Sequence, residues 1–376
     1  ETHDYRHSLY NGSKRSQPIE RDIQLHNGWI PDHDVKQYTQ STPGPHKPAA
    51  ESGSGSADSG SSDKNTSQDL PNRTSSFSSK SRYKPALDRY PLVLLKNITS
   101  PMDPTDVIFQ WHIPKAAGSS TKRIFTECFH LSRSAQKSFP ESYTFDRHHV
   151  LNIDTSTIAG IARAKENGLV DKDLIDVITT SFLHEGSALL TETHGGRLFT
   201  MLRHPVDVSV SLFHYLGTAE WEGTYREEFR NMTLLEYATT DRDGVRIDNW
   251  MTRYLARKIK GDLEEEDIKL AKDILERKCL IGMTDEFIES FRRFNLFFGL
   301  GKWLEDGLPC VEKYMNNRAN KNSHQKVKHG SDEWVALAQA NKIDIELFNF
   351  GKDLWKRQGE MLAHRHADEW NFRQGS

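Results

Sequence analysis

The chain has 376 residues, with 50 Lys and Arg against 53 Asp and Glu, so its formal net charge is −3 at pH 7. That length supports a sizeable hydrophobic core. The charge balance lacks the basic excess of a nucleic-acid binder, and no run of about 18 apolar residues offers a membrane span.

Residues 1–85 are rich in Ser, Gly, Asp, Lys, Asn and Pro, and the stretch from Glu51 to Ser62 is low-complexity. Such a composition buries too little apolar surface to offset its ordering entropy, so 1–85 is predicted to be a disordered, flexible stem. The first residue is Glu1 rather than Met, which fits a fragment or a processed form. Patterned strands and helices begin near Tyr90. They predict one α/β domain over 86–360, with a tail over 361–376. Sequences of the form Asn-x-Ser/Thr start at Asn11, Asn65, Asn72, Asn97 and Asn231.

The apolar run Val107, Ile108, Phe109, Gln110, Trp111 predicts a buried strand. It feeds His112, Ile113, Pro114 and then Lys115, Ala116, Ala117, Gly118, Ser119, Ser120 and Thr121, with a helix predicted over 122–130. A strand, a Gly-containing turn and a helix start make an anion site, because backbone N–H groups and the positive end of the helix dipole face the ligand. Lys115 adds a full charge, Gly118 allows close backbone approach, and the three hydroxyls add donors. This is no Walker A loop, which needs Lys directly after its second Gly. Lys115 instead precedes Gly118 by three.

Helices are predicted over 155–168 and 171–180, followed by the apolar run Ser181, Phe182, Leu183 and then His184 and Glu185. Residues 197–202 read as a second buried strand, opening on Arg197. It runs into Arg203, His204 and Pro205, and Pro suits the first turn of a helix. Arg203 and Ser211 are eight apart, and an Arg fork with a hydroxyl suits a phosphate. Thr233 and Glu236 predict a capping box for a helix over 233–240. Residues 264–278 carry acids first and bases last with an apolar face, a dipole-matched helix. A short strand over 279–284 and a helix over 286–298 follow. Strands alternating with helices predict a central parallel sheet flanked by helices on both faces.

Three cysteines, Cys128, Cys279 and Cys310, leave one thiol unpaired within the chain, and they show no metal-site spacing. A Cys279–Cys310 bridge is one of the pairings open, and sequence alone does not decide it. The basic group Lys313, Arg318, Lys321, Lys326 and Lys328 reads either as a solvated loop or as an acceptor patch.

The order His112-Ile113-Pro114-Lys115 followed by Gly118-Ser119-Ser120 resembles the 5′-phosphosulfate loop of the Golgi carbohydrate sulfotransferases. Arg203, Pro205, Asp207 and Ser211 resemble that family's 3′-phosphate motif, with His204 and Val208 departing from its usual Asp and Arg. Asn249, Thr252 and Arg253, the segment 270–290, and Asn341 with Asp344 extend the likeness over about 107–356. The heparan sulfate 6-O-sulfotransferase-like branch is the nearest in flavour.

The resemblance implies a P-loop-like sulfotransferase fold. It implies 3′-phosphoadenosine 5′-phosphosulfate as donor, held by Lys115, Ala116, Ala117, Gly118, Ser119, Ser120, Thr121, Arg203 and Ser211, with no metal. It also implies a glycan or polysaccharide acceptor, and residence in the Golgi lumen behind an N-terminal anchor, as in a type II membrane protein. Lys115 would stabilise the leaving phosphate. The base should titrate near working pH, which favours His. His184 is the first choice, with Glu185, His148 and His149 as alternatives, whereas His112 reads as structural and His194 as a turn residue. Two other classes remain: a non-catalytic glycan- or nucleotide-binding protein on a degenerate fold of this type, and a P-loop kinase-like phosphotransferase. The latter needs a Walker lysine and a Mg²⁺-binding pair, neither of which is in register.

Overall fold

All five residues of strand β1 (Val107–Trp111) are buried. A strand covered on both faces is nearly all apolar, and the one polar residue here, Gln110, accepts from Thr179 Oγ1 at 3.1 Å; helices on each side of a parallel sheet provide that setting. The computed structural model of the protein describes residues 87, 91–135, 137, 141–220, 224–240, 245–301, 303–316 and 326–365. The expected stem over 1–85 and the end of the expected tail lie outside these.

The order after β1 is α1 (Gly118–Glu127), β2 (Arg133–Ser134), β3 (Ser142–Phe145), β4 (Val150–Asn152), α2 (Ile158–Glu166) and β5 (Val177–Thr180). Then come α3 (Leu183–Ser187), β6 (Gly196–Leu202), α4 (Pro205–Leu216), α5 (Leu234–Thr239), α6 (Trp250–Ala256) and α7 (Glu265–Lys278). The last elements are β7 (Cys279–Met283), α8 (Phe287–Phe298), α9 (Leu308–Asn316), α10 (Asp332–Ala340) and α11 (Lys342–Arg365). The strands form one seven-stranded sheet in the order β3-β4-β2-β5-β1-β6-β7. Every neighbouring pair is parallel except β3 with β4. The architecture is α/β and compatible with nucleotide binding.

Successive side chains of β1 enter opposite cores, as strand geometry requires. Val107, Phe109 and Trp111 pack with Leu183 of α3, Trp250 and Leu255 of α6, and Ile274 and Leu275 of α7. Ile108 joins Ile124 and Phe125 of α1 and Phe291 and Phe294 of α8. Phe199 of β6 stacks on Phe125 at 5.1 Å and meets Phe294 edge-on at 4.8 Å. Each such fully buried ring contributes about 1.5–3 kcal/mol, so this aromatic set is a main anchor of α1. A third cluster joins α4, α5 and α10 through Phe213, Tyr237 and Leu337.

Several local expectations hold for visible reasons. Thr233 and Glu236 form the capping box of α5. α7 carries Glu265, Glu266 and Asp267 in its first turn and Arg277 and Lys278 in its last, and Glu264 caps it. β7 and α8 fall where the pattern put them. The helix expected over 171–180 is wrong, because Val177–Thr180 is β5. Its four residues are all β-branched, which favours a pleated strand over a helix. The helix expected over 122–130 starts earlier, at Gly118. Thr121 closes that first turn, since its amide and its hydroxyl both donate to the Ala117 carbonyl at 3.0 Å.

The disulfide, which sequence left open, is not Cys279–Cys310. Cys310 of α9 pairs with Cys128, which ends α1, and Cys279 is a buried free thiol. Cys279 lies in β7 within the sheet core, and burial pushes its thiol well above the ordinary value. Cys128 and Cys310 share the core on the other face, where α1 and α9 meet.

Candidate functional site

β5, β1 and β6 are consecutive in the sheet and parallel, so their carboxyl ends open on one edge. From β1 the chain first builds strands on one side, then crosses to β6 on the other. Ligands of open α/β sheets bind at such reversals, outside the carboxyl ends of the strands. Lys115 follows β1, His184 follows β5 and Arg203 follows β6. The three positions picked from sequence therefore share one edge.

The Lys115 loop is built by unusual backbone. Lys115 and Ala117 adopt left-handed φ values of 62° and 64°. Gly118, expected to allow close backbone approach, also makes room beneath the loop. A Cβ there would lie 2.0 Å from Nε2 of His112, so its bareness makes room for the imidazole beneath the loop. His112 is buried, and burial followed by the charges of Lys122 and Lys115 drives its pKa well below the ordinary value. It is a neutral support, tied to β5 through its carbonyl, which accepts from Ser181 Oγ at 2.7 Å.

Ala117 is the N-cap of α1 and has no side-chain oxygen to cap it. The first N–H groups of a helix have no acceptor within the helix, so such a start suits an anion. Ser119 and Ser120 are half-buried on this turn. Thr121 is buried, and its hydroxyl serves Ala117, so its part is to close the turn. Lys115 lays its Nζ over the Tyr215 ring, 3.7 Å from the centroid. Nothing in the sequence singled out Tyr215, because a contact between a loop and the far end of α4 has no local signature.

Arg203 Nη1 donates to the carbonyl of Lys115 at 2.9 Å across 88 residues of sequence. The two expected phosphate-binding segments are thus physically joined. Ser211 is buried on the second turn of α4. A pocket lies beside the junction, lined by Ile113 and Pro114 of the loop, Pro205 and Ser209 of α4, and Trp250 and Asp344.

His184 is held from two sides. Gly186 lets α3 press on the sheet, since a Cβ there would meet Thr180 and Phe109 at 2.6 and 2.8 Å. His184 Nε2 is 2.8 Å from the Leu255 carbonyl. A carbonyl only accepts, so Nε2 carries the proton and Nδ1 holds the lone pair. Burial lowers the His184 pKa, against the opposing pull of the Leu255 carbonyl and Glu185. Glu185 is raised by burial and pairs with Arg257 at 3.0 Å. The other histidine candidates are elsewhere. His148 and His149 precede β4, at the amino end of the sheet, and His148 Nδ1 contacts Glu127 at 2.7 Å. Of the basic group, Arg318 and Lys321 lie outside the described residues.

Asn249 and Asp344 have a structural part that sequence did not assign. Asn249 Oδ1 accepts from Ile343 N and Asp344 N at 3.0 and 3.2 Å, capping α11. Asp344 accepts from Met251 N, Thr252 N and Thr252 Oγ1 at 2.7, 2.8 and 2.7 Å, capping α6. Burial pushes Asp344 up to about 6 despite these donors. Asn341 extends the knot to Ser209 of α4 at 3.3 Å, which steadies the helix behind Arg203.

Among the described residues, no cluster of three His, Cys, Asp or Glu is placed to hold a metal ion, and no helix is long and apolar enough to cross a membrane. No family model matches the chain, and no curated protein matches it.

Proposed function

We propose that the protein transfers a sulfuryl group from 3′-phosphoadenosine 5′-phosphosulfate to a hydroxyl of a glycan, on a sulfotransferase-type α/β fold. The observation that supports this reading is the Arg203–Lys115 hydrogen bond, which joins the two segments expected from sequence to hold phosphate. Two linked anion sites suit a donor with phosphate at both its 3′ and 5′ positions. The uncapped start of α1, with Lys115 and the half-buried Ser119 and Ser120, would take the 5′ end. Arg203 and Ser211 would take the 3′-phosphate.

The acceptor oxygen attacks sulfur, and the bond from sulfur to the 5′-phosphate oxygen breaks in line. Lys115 and the α1 N–H groups stabilise the charge that develops on the leaving phosphate, as preorganised donors do in phosphoryl transfer. His184, neutral because burial lowers its pKa, takes the acceptor proton on Nδ1. The tie to Leu255 holds the ring in that tautomer. The Cys128–Cys310 disulfide supports an oxidising compartment, in keeping with a Golgi-lumen enzyme tethered by an N-terminal anchor.

Two measurements test this. 3′-Phosphoadenosine 5′-phosphate should raise the melting temperature where ATP with Mg²⁺ does not, because a ligand of the native state stabilises it by mass action. Labelled sulfate should pass from donor to at least one member of a panel of polysaccharides, glycoproteins and glycolipids. Stabilisation by ATP–Mg²⁺ alone would redirect the reading to a phosphotransferase, and binding without transfer would redirect it to a non-catalytic nucleotide-binding protein.

A further inference from the structure

Two of the five Asn-x-Ser/Thr sequences fall within the described residues, and the fold treats them in opposite ways. The first, Asn97 to Thr99, is locked into the amino edge of the domain. The Asn97 carboxamide oxygen is buried, and Ile98 is 6% exposed. The backbone of the triplet is gripped from both sides. Arg197 Nη1 donates to the Asn97 carbonyl at 3.3 Å, and Arg365 Nη2 to the Thr99 carbonyl at 2.8 Å. Ile98 N donates to the Arg277 carbonyl at 2.9 Å. Asn97 is half-buried with its carboxamide oxygen enclosed, so a bulky, hydrated group on that amide would press on this packing and on the backbone held by Arg197.

The second triplet, Asn231 to Thr233, stands on the surface. Asn231 and Thr233 are both exposed. The turn that carries them is firm underneath. Phe229 packs on Phe213 at 5.4 Å and on Tyr237 at 5.3 Å, and Arg230 Nε donates to the Gly217 carbonyl at 3.1 Å. Thr233 begins α5 through its capping box with Glu236, so the fold uses the third residue of the triplet and leaves the first facing solvent.

We propose that Asn231 is an N-glycan acceptor of the folded domain and that Asn97 is not. This rests on the secretory compartment in the reading above, which the disulfide supports, and not on the transfer chemistry. The modification joins the Asn231 carboxamide nitrogen to the anomeric carbon of an oligosaccharide carried on a polyprenyl diphosphate. A C–N bond forms, the C–O bond to the diphosphate breaks, and the amide loses one proton to the base of the transferring enzyme. No electron acceptor is needed.

The test uses the full chain secreted from a cell line that makes N-glycans. The folded protein is treated with an amidase that converts glycosylated Asn to Asp, then digested and mapped by mass. The peptide holding Asn231 should carry the conversion, and the peptide holding Asn97 should not. Asn231→Gln should remove one glycan from the intact mass and leave the melt and the affinity for 3′-phosphoadenosine 5′-phosphate unchanged. An unconverted Asn231 overturns the proposal, whether or not the Cys128–Cys310 disulfide has formed. Conversion at Asn97 in chains that still melt cooperatively overturns its other half. Failure of sulfuryl transfer would leave the glycan map as it is, so the two readings fail separately.

Discussion

Strand β6 ends in an arginine at either edge of the sheet, and the two differ in what surrounds them. Arg197, at the amino edge, is 2% exposed and faces Asp106, whose side chain is 1% exposed, at 2.6 Å. Its remaining donors go to the carbonyls of Asn97, Ser100 and Pro101. Arg203, at the carboxyl edge, is half-buried and reaches the backbone of the Lys115 loop. One guanidinium is enclosed among the groups it neutralises and staples the chain before β1 to the sheet. The other joins the turn before α4 to the loop before α1 through the Lys115 carbonyl. Residue type alone does not separate an enclosed clamp from a half-buried loop contact; burial does.

The sharpest way to break this contrast lies at the carboxyl edge. His184→Ala should lower turnover by about two to four orders of magnitude while donor affinity stays near wild type, with the melt lowered by the lost tie to the Leu255 carbonyl. The pH profile adds a second readout. Burial puts the His184 pKa below 6.5, so its neutral form persists to lower pH than in an ordinary histidine. The acid limb of turnover should therefore fall below pH 6.5 and be absent from the residual activity of the variant. Full activity in a folded His184→Ala would move the base to Glu185.

Lys115→Ala should cost about 10²–10³-fold in turnover, the usual effect of removing a donor aimed at developing charge. Unchanged turnover there would end the sulfuryl-transfer mechanism. At the amino edge the prediction is of another kind. Arg197→Met should destabilise the domain by about 3–5 kcal/mol, because it strands the buried Asp106 carboxylate. Urea denaturation measures it. Surviving molecules should keep wild-type donor affinity, and a specific loss of affinity would show that the two edges are not separate.

The smallest effect concerns Tyr215. A cation over a ring contributes about 0.5–2 kcal/mol, so Tyr215→Leu should reduce turnover several-fold through a less ordered Lys115. Tyr215→Phe keeps the ring face and should restore most of the rate. Equal rates in both variants would leave the contact with no part in catalysis.

Much of this protein was set by short-range sequence. The apolar run of β1, the capping box at Thr233 and Glu236, and the acid-to-base gradient of α7 each depend on residues within a turn or two of one another. Such features survive almost any tertiary context, so they are legible without one. The Lys115 loop and the Arg203 turn were legible for the same reason. The strand at Val177–Thr180 was legible in its four β-branched residues, and its pairing with β1 and β2 fixes it in the sheet. The partner of Cys310, the imidazole under Gly118, the ring under Lys115 and the mutual caps of Asn249 and Asp344 all join segments far apart in the chain. No local preference encodes those pairings. They are fixed when α1, α4, α6 and α11 dock around one sheet, because packing selects which distant side chains meet.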